Sequence, residues 1–328
     1  MTERTKTLLE ELAPFALLVL VILFFTLLVG PSFVGLFNLR MVLVQSVVVM
    51  IAAAGATMVI VNGGIDLSVG SLLALTTVVV ALIDRELLAA GWSAFPAGGL
   101  AVITGILVSM LCGLFNGLSI ALLRVSPFIT TLGTLWIFRG IALWLSGNVT
   151  VETGSRDMAW LMEITPVYDW LIVSPGVWFG VLVIGMTFIL LTWTAFGRYV
   201  YAIGSNEATA RLSGIRVERH KILIYTLAGM MAGIAGVMLF SYQNQGDPTA
   251  AFGKELYVIA AVVIGGASLS GGRGTVLGSF VGALFIQFLE QGLIHTRVDD
   301  HFQKMIIGAF LILAIALDRY RQSKVDGD

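Results

Sequence analysis

The residues of this sequence that could do chemistry are few, and they are not those of a catalyst. Asp66 stands in GGIDLSVGS, Gly63 to Ser71, inside a long apolar region. A carboxylate there is costly unless it is solvated, paired or capping a helix. Two readings follow. Asp66 could cap the next helix while Gly63 and Gly64 let the chain turn. Alternatively the break lines a polar path, where helix ends present free N–H or C=O groups to a solute. Asn62, Ser68, Asn116 and Gln287 are candidates for the same lining, and Gln243, Glu290 and Arg139 also lie in or near apolar runs. Each alone reads as readily as a hydrogen-bond partner between helices. His220, His295 and His301 are scattered, so no metal-ligand cluster is visible. No nucleophile–base constellation stands out either. The expectation is a non-enzyme without metal or cofactor.

The second polar feature is GRYVYAIGSNEATARLSGIRVERHK, Gly197 to Lys221. Inside it, Ser205 to Gly214 reads as a short helix marked at both ends. Ser205 or Asn206 can cap the first amides. Glu207 lies in the first turn, where the helix dipole favours negative charge, and Arg211 follows it by four residues on one face. Gly214 stands where a left-handed cap would be. Ala208 and Leu212 share a face. The run is either a solvated loop with one helical turn or a rigid, capped peg that docks a soluble partner.

The elements that must position these residues are apolar. The chain has 328 residues, 58% hydrophobic and only 12% charged, with mean hydropathy +0.95. A soluble domain carries about twice that share of charge. Repeated apolar runs of about 20 residues predict an all-α, polytopic membrane protein with one transmembrane domain over 1–328. Ten spans fit: 13–30, 39–61, 67–83, 98–123, 128–145, 177–196, 222–242, 256–264, 276–293 and 305–317. The short eighth span predicts a broken or partly buried helix. Glu3, Glu10 and Glu11 spoil a signal-peptide reading of the N-terminus, so the first run reads as a retained helix. Cys112 is the only cysteine and reads as a small packing residue. Trp92, Trp160, Trp170, Trp178 and Trp193 fall at span ends, as interface anchors do.

Orientation follows from Lys and Arg in short loops. Arg4, Lys6, Arg124, Arg198, Arg211, Arg216, Arg219, Lys221, Arg273, Arg319, Arg321 and Lys324 fall on one side. Arg40, Arg85, Arg156, Lys254, Arg297 and Lys304 fall on the other. The 197–221 loop and both termini are therefore expected in the cytoplasm. The 146–174 loop, with Glu152, Arg156, Asp157, Glu163 and Asp169, is expected outside.

VNGGIDLSVGS, Val61 to Ser71, resembles VIGGASLSGGR, Val263 to Arg273. Each puts a Gly pair, Leu-Ser and Gly at the same offsets. An ancient duplication or chance convergence on glycine-rich turns would explain it. LSGGR, Leu269 to Arg273, looks like the signature of ATP-binding cassette ATPases. The chain has no G-x-x-x-x-G-K-[ST] loop to cradle phosphates, so that reading is rejected. A glycine-rich turn between close-packed helices fits better.

GGIDLSVGS, Asn116-Gly117, SPFITTLGT (Ser126 to Thr134), GSNEATARLSGI (Gly204 to Ile215) and AAVVIGGASLSGGRGTVLG (Ala260 to Gly278) occur in this order. As a set they resemble the permease subunit of ribose-type simple-sugar ABC importers, over nearly the whole chain. The resemblance implies a ten-helix permease of the bacterial inner membrane, working as a homo- or heterodimer by alternating access. It implies a separate cytoplasmic ABC ATPase and a periplasmic or lipid-tethered sugar-binding protein as partners, with membrane lipid and no nucleic acid. It places ATPase coupling on Gly204, Asn206, Glu207, Ala208, Arg211, Leu212, Ser213 and Gly214. The matched motif also brings Phe128 and Thr131 to the pathway candidates. The competing reading is an ion-coupled secondary transporter acting alone. That reading needs several buried carboxylates or histidines, and only Asp66 and Glu290 are candidates.

Overall fold

Small residues recur every four positions in the run after Trp92: Ala101, Gly105, Ser109, Gly113 and Gly117. On a helix they form one stripe, and in the fold that stripe is the buried face of a central helix. The computed structural model describes the backbone of residues 3–154, 156–167 and 170–325. It describes their side chains except those of 3–11, 300, 311, 314–315 and 317–325. Arg4, Lys6, Arg319, Arg321 and Lys324, which entered the orientation argument, and Asp169 of the 146–174 loop therefore lie outside the described side chains.

The described chain is helical: α1 (Glu3–Val29), α2 (Leu36–Val61), α3 (Val69–Ala89), α4 (Ala94–Leu122), α5 (Pro127–Ser146) and α6 (Pro175–Trp193). There follow α7 (Ala195–Ser205), α8 (Glu207–Leu212), α9 (Val217–Gln243), α10 (Lys254–Ile264), α11 (Val276–His295) and α12 (Asp300–Val325). Two short strands, β1 (Val151–Glu152) and β2 (Gln245–Gly246), pair antiparallel. They tie the 146–174 segment to the chain leaving α9, a contact not foreseen from sequence. Seven helices, α1, α2, α4, α5, α6, α9 and α11, are long and apolar enough to cross a membrane. Of the others, α3 carries Asp84-Arg85-Glu86 in its last two turns and α10 has 11 residues.

Burial separates the centre from the rim. The apolar window of α2 is 94% buried and that of α1 only 17%. Around α2 pack α9, α11, α10 and α6. Across α9 lies α4, and the stripe explains how closely. A Cβ on Gly113 would stand 2.9 Å from the Gly229 Cα, and one on Gly117 2.8 Å from the Ile222 Cα. Only glycine lets these backbones meet, the small-x-x-x-small geometry of helices in lipid. The opposite face of α4 carries Leu100, Ile103, Leu107, Leu111 and Phe115, all exposed.

Some boundaries differ from the sequence reading. The sixth span was expected to run to Phe196. Instead α6 stops at Trp193, and Thr194 caps a new amphipathic helix, α7, through Gly197 N–H at 3.3 Å. The next span starts at Val217, so Arg219 and Lys221 belong to the first turns of α9. Pro96 lies in the first turn of α4, where its missing N–H costs nothing.

Candidate functional site

At the end of α2 the last carbonyls are closed by the Gly63 N–H to Ile60 O (2.9 Å) and the Gly64 N–H to Val59 O (2.9 Å). This Schellman pair needs a left-handed residue, and Gly63 supplies φ +82°. The same pair ends α10, from Gly266 to Val263 O and Ala267 to Val262 O. The caps thus align Val61 with Ile264, one residue off the sequence match of Val61 with Val263.

After the cap, the first break is fastened by side chains. Asp66 is 4% exposed. Its Oδ1 accepts the Ser68 N–H at 2.8 Å and the Ser68 hydroxyl at 2.6 Å. Asn116 of α4 donates to Ser68 Oγ at 3.0 Å. Thr131 of α5 donates to Ile65 O at 3.1 Å. The expected direct cap on α3 is therefore corrected. Ser68 occupies the N-cap position without a side-chain cap bond, and Asp66 closes an Asx turn just before it. Asp66 makes no ion pair among the described residues. Arg139, the buried cation of α5, donates to Pro248 O (2.6 Å) and Ala250 O (2.8 Å). Asn62 Oδ1, Asn116 Oδ1 and the Tyr225 hydroxyl are buried here without a hydrogen-bond partner, and the Tyr225 hydroxyl lies against Gly64. Buried polar atoms of this kind call for water or a polar solute.

The start of α10 meets the start of α3. The Glu255 carboxylate and the Ala251 carbonyl lie against Gly70 in the first turn of α3, with no room for a side chain between them. The chain from Asp247 to Gly253 runs back along α3, held by the Asp247 N–H to Thr77 Oγ1 at 3.2 Å and by Arg139. Two helix beginnings, an acid and a set of hydroxyls and amides thus converge. Glu255 and Tyr225 were missed from sequence. Neither sits in an unusual local pattern, and only packing brings them to the break. Of the other candidates, Gln287 is elsewhere, donating to Gln45 Oε1 at 2.8 Å between α11 and α2. Phe128 is half exposed on α5.

The second break lies on the first. The Gly272 N–H donates to Val61 O at 2.8 Å, and a Cβ on Gly271 would stand 3.0 Å from the Gly63 Cα. The end of α7 completes the junction. Tyr201 donates to Gly274 O at 2.7 Å, and Gly204 packs on Val61 O and the Gly272 amide with no space for a Cβ. Gly204 is therefore the point where the polar loop touches both breaks.

The peg follows directly. Asn206 accepts the Thr209 N–H at 2.9 Å, so of the two expected caps it is Asn206 that acts. Gly214 has φ +84° and closes α8 with Ile215 through Arg211 O and Ala210 O. Ala210 turns inward against Ile203 and Val217. Ala208 and Leu212 face out, and Leu212 is 90% exposed. Glu207 pairs with Arg211 at 3.2 Å, as its spacing predicts, and also with Lys221 at 2.6 Å. Arg211 reaches Glu218 at 2.5 Å. Lys221's hydrogen bond, with Arg211's, holds the Glu207 carboxyl below its usual pKa. Beside the peg, the α4–α5 turn with Arg124 and Ser126 walls a polar cleft of about 300 Å³.

The family model described as "Branched-chain amino acid transport system / permease component" matches residues 38–315. The ribose import permease protein RbsC of Escherichia coli is 38% identical over 316 residues, covering 96% of this chain and 95% of that protein. The fructose import permease protein FrcC of Rhizobium meliloti is 34% identical, covering 96% and 89%. The xylose transport system permease protein XylH of Escherichia coli is 32% identical, covering 92% and 90%. No solved structure matches. With a polytopic helical body, a capped polar peg and a glycine junction between peg and helix breaks, the chain belongs to this family of transport-system permease components, whose members carry solute across the membrane and leave ATP hydrolysis to another subunit.

Proposed function

We propose that this permease moves a monosaccharide or similar small polar solute into the cytoplasm of a bacterium by alternating access. The observation that carries the reading is the Gly204 junction. It joins the peg to both helix breaks by backbone contact, so motion of the peg reaches the breaks without a flexible linker. In this reading the chain crosses the inner membrane ten times: α1 to α6, α9, α11 and α12 each make one crossing, and the non-helical 247–253 segment followed by the short α10 makes the other, with α7 and α8 as the elbow and peg on the cytoplasmic side. Both termini face the cytoplasm, and the 146–174 segment faces the binding protein. A cytoplasmic ABC ATPase docks on Ala208, Leu212 and the ion pairs around them, and a second permease completes the pathway. The neutral hydroxyl and amide groups around Ser68, Asn116, Thr131 and Tyr225 suit sugar hydroxyls, which both donate and accept.

The names of the relatives support a sugar, and the choice among pentoses and hexoses rests with the binding protein. The test is ATPase activity of the co-purified permease, ATPase and binding protein against a panel of monosaccharides. Stimulation by one or more sugars is expected. Stimulation by branched-chain amino acids alone would transfer the substrate to that class. Uptake driven by an ion gradient without the ATPase would establish the secondary transporter. Reporter fusions after Arg211 and after Asp157 check the orientation, with the first expected in the cytoplasm and the second outside.

A further inference from the structure

Between α6, α7 and the start of α11 lies a cleft of about 490 Å³. Phe188, Leu191 and Val276 give it an apolar wall, and Arg198 is the one charged residue in its lining. Arg198 is exposed and takes part in no ion pair among the described residues. No acid lines the cleft. The hydroxyls of Tyr201 and Thr275 stand beside the apolar wall. Thr275 Oγ1 accepts the Gly278 N–H at 3.0 Å and keeps its own proton to donate. Trp193, whose ring packs on that of Phe188, and Tyr199, next to Arg198 in the chain, are 69% and 38% exposed. Amphipathic rings of this kind sit at the headgroup level of a bilayer. A basic group at that level above an apolar wall matches a molecule with an anionic head and a hydrocarbon tail. A sugar would leave its hydroxyls unpaired against Phe188, Leu191 and Val276.

We infer that this cleft binds an anionic phospholipid of the inner leaflet, headgroup on Arg198 and Thr275, acyl chain along Phe188, Leu191 and Val276. Through Tyr201, the cleft shares a side chain with the second break, so the bound lipid abuts the coupling elbow. The inference requires that the chain spans a membrane with α7 at the interface, and it is independent of the substrate.

Trp193 is a built-in reporter, its ring centroid 6.0 Å from that of Phe188. The experiment places the purified chain in phosphatidylcholine vesicles containing an equal mole fraction of either brominated phosphatidylglycerol or brominated phosphatidylcholine. The Trp193 signal is taken as the difference between wild type and Trp193→Phe. Quenching by the anionic lipid is expected to indicate about fivefold higher occupancy, the equivalent of about 1 kcal/mol for one basic group at an anionic surface. Arg198→Gln should bring the ratio to about one, and Arg198→Lys should keep most of it. Arg219→Gln, on α9 outside the lining, should leave it unchanged. A ratio of one in the wild type, an unchanged ratio in Arg198→Gln, or equal loss with Arg219→Gln would overturn the inference. So would loss of the preference on adding millimolar inorganic phosphate, because the site would then take a free anion. Impaired assembly with the ATPase in Arg198→Gln, with lipid preference intact, would assign Arg198 to the protein partner instead.

Discussion

The first break and the peg are closed by the same backbone device and fastened in opposite ways. Each ends a helix in a Schellman cap with a left-handed glycine, Gly63 in one and Gly214 in the other. In the break, the side chains that follow are buried, and Asp66, Ser68, Asn116 and Thr131 hold the turn from three helices. In the peg, Glu207, Arg211 and Glu218 are roughly half exposed, with side chains at 44%, 52% and 38%. Water competes for each of those pairs, and exposed pairs are worth only about 0–1 kcal/mol. Leaving a buried hydrogen-bonding group without its partner costs about 1–3 kcal/mol. The break is thus held by its side chains, whereas the peg is held by its backbone caps and presents its charges to something else.

The largest effect is expected where the two regions touch. Gly204→Val would drive a branched side chain into Val61 O and the Gly272 amide. Overpacking of this kind costs about 1–3 kcal/mol, and the site it displaces is the link itself. ATP-driven uptake should fall at least about tenfold while the protein still inserts in the membrane. Normal uptake would show that peg and breaks work apart.

Next come substitutions inside the break. Asp66→Ala removes the acceptor of both Ser68 bonds, and transport should fall by about fivefold to a hundredfold, following the cost of about 1–3 kcal/mol. Asp66→Asn keeps an acceptor oxygen and should stay within a few-fold of wild type. If Asn fails as badly as Ala while assembly with the ATPase is normal, the charge itself gates the path, and the comparison must be redrawn.

In the peg, Gly214→Val should cost more than any ion pair. A β-branched residue at φ +84° is strained by about 1–2 kcal/mol. Binding of the ATPase subunit to the purified permease should weaken by about fivefold to thirtyfold, with the transmembrane fold intact by its thermal transition.

The smallest effect is electrostatic. Because the Glu207 pKa is lowered in the fold, its stabilising contribution is present above its ordinary value of 4.5 and is lost as pH falls through the lower folded value. Hydrogen exchange of the α8 amides should therefore show no change in Glu207-dependent protection between neutral pH and about pH 5. Below that the protection should decline, and in Glu207→Gln this acid limb should be missing. An equal acid limb in the variant would place the protection elsewhere, in the caps.

What the sequence determined by itself is local. Asn206 and Gly214 could be read as cap residues, and Gly63 as a turn glycine, because capping and turn bonds reach only three to five residues along the chain. The apolar runs announced a polytopic helical protein for the same reason, since a span of hydrocarbon sets the length of each run. Arg211 was legible beside Glu207 at i+4, but Lys221 was not, because that pair forms only once α8 folds back on α9. Tertiary packing alone decided that Glu255 lies on Gly70, that Tyr225 backs Gly64, and that Gly272 closes the α2 carbonyl of Val61. It also moved the register of the two glycine breaks by one residue relative to their sequence match. Such contacts join segments far apart in the chain, and small residues that let backbones approach do not name the backbone they will meet. Asp66 shows the limit. Its neighbours made a cap or a gate equally readable, and only the packing showed that its partners are the Ser68 N–H and hydroxyl and not Arg139, because a buried carboxylate takes whichever donors the surrounding chain brings within reach.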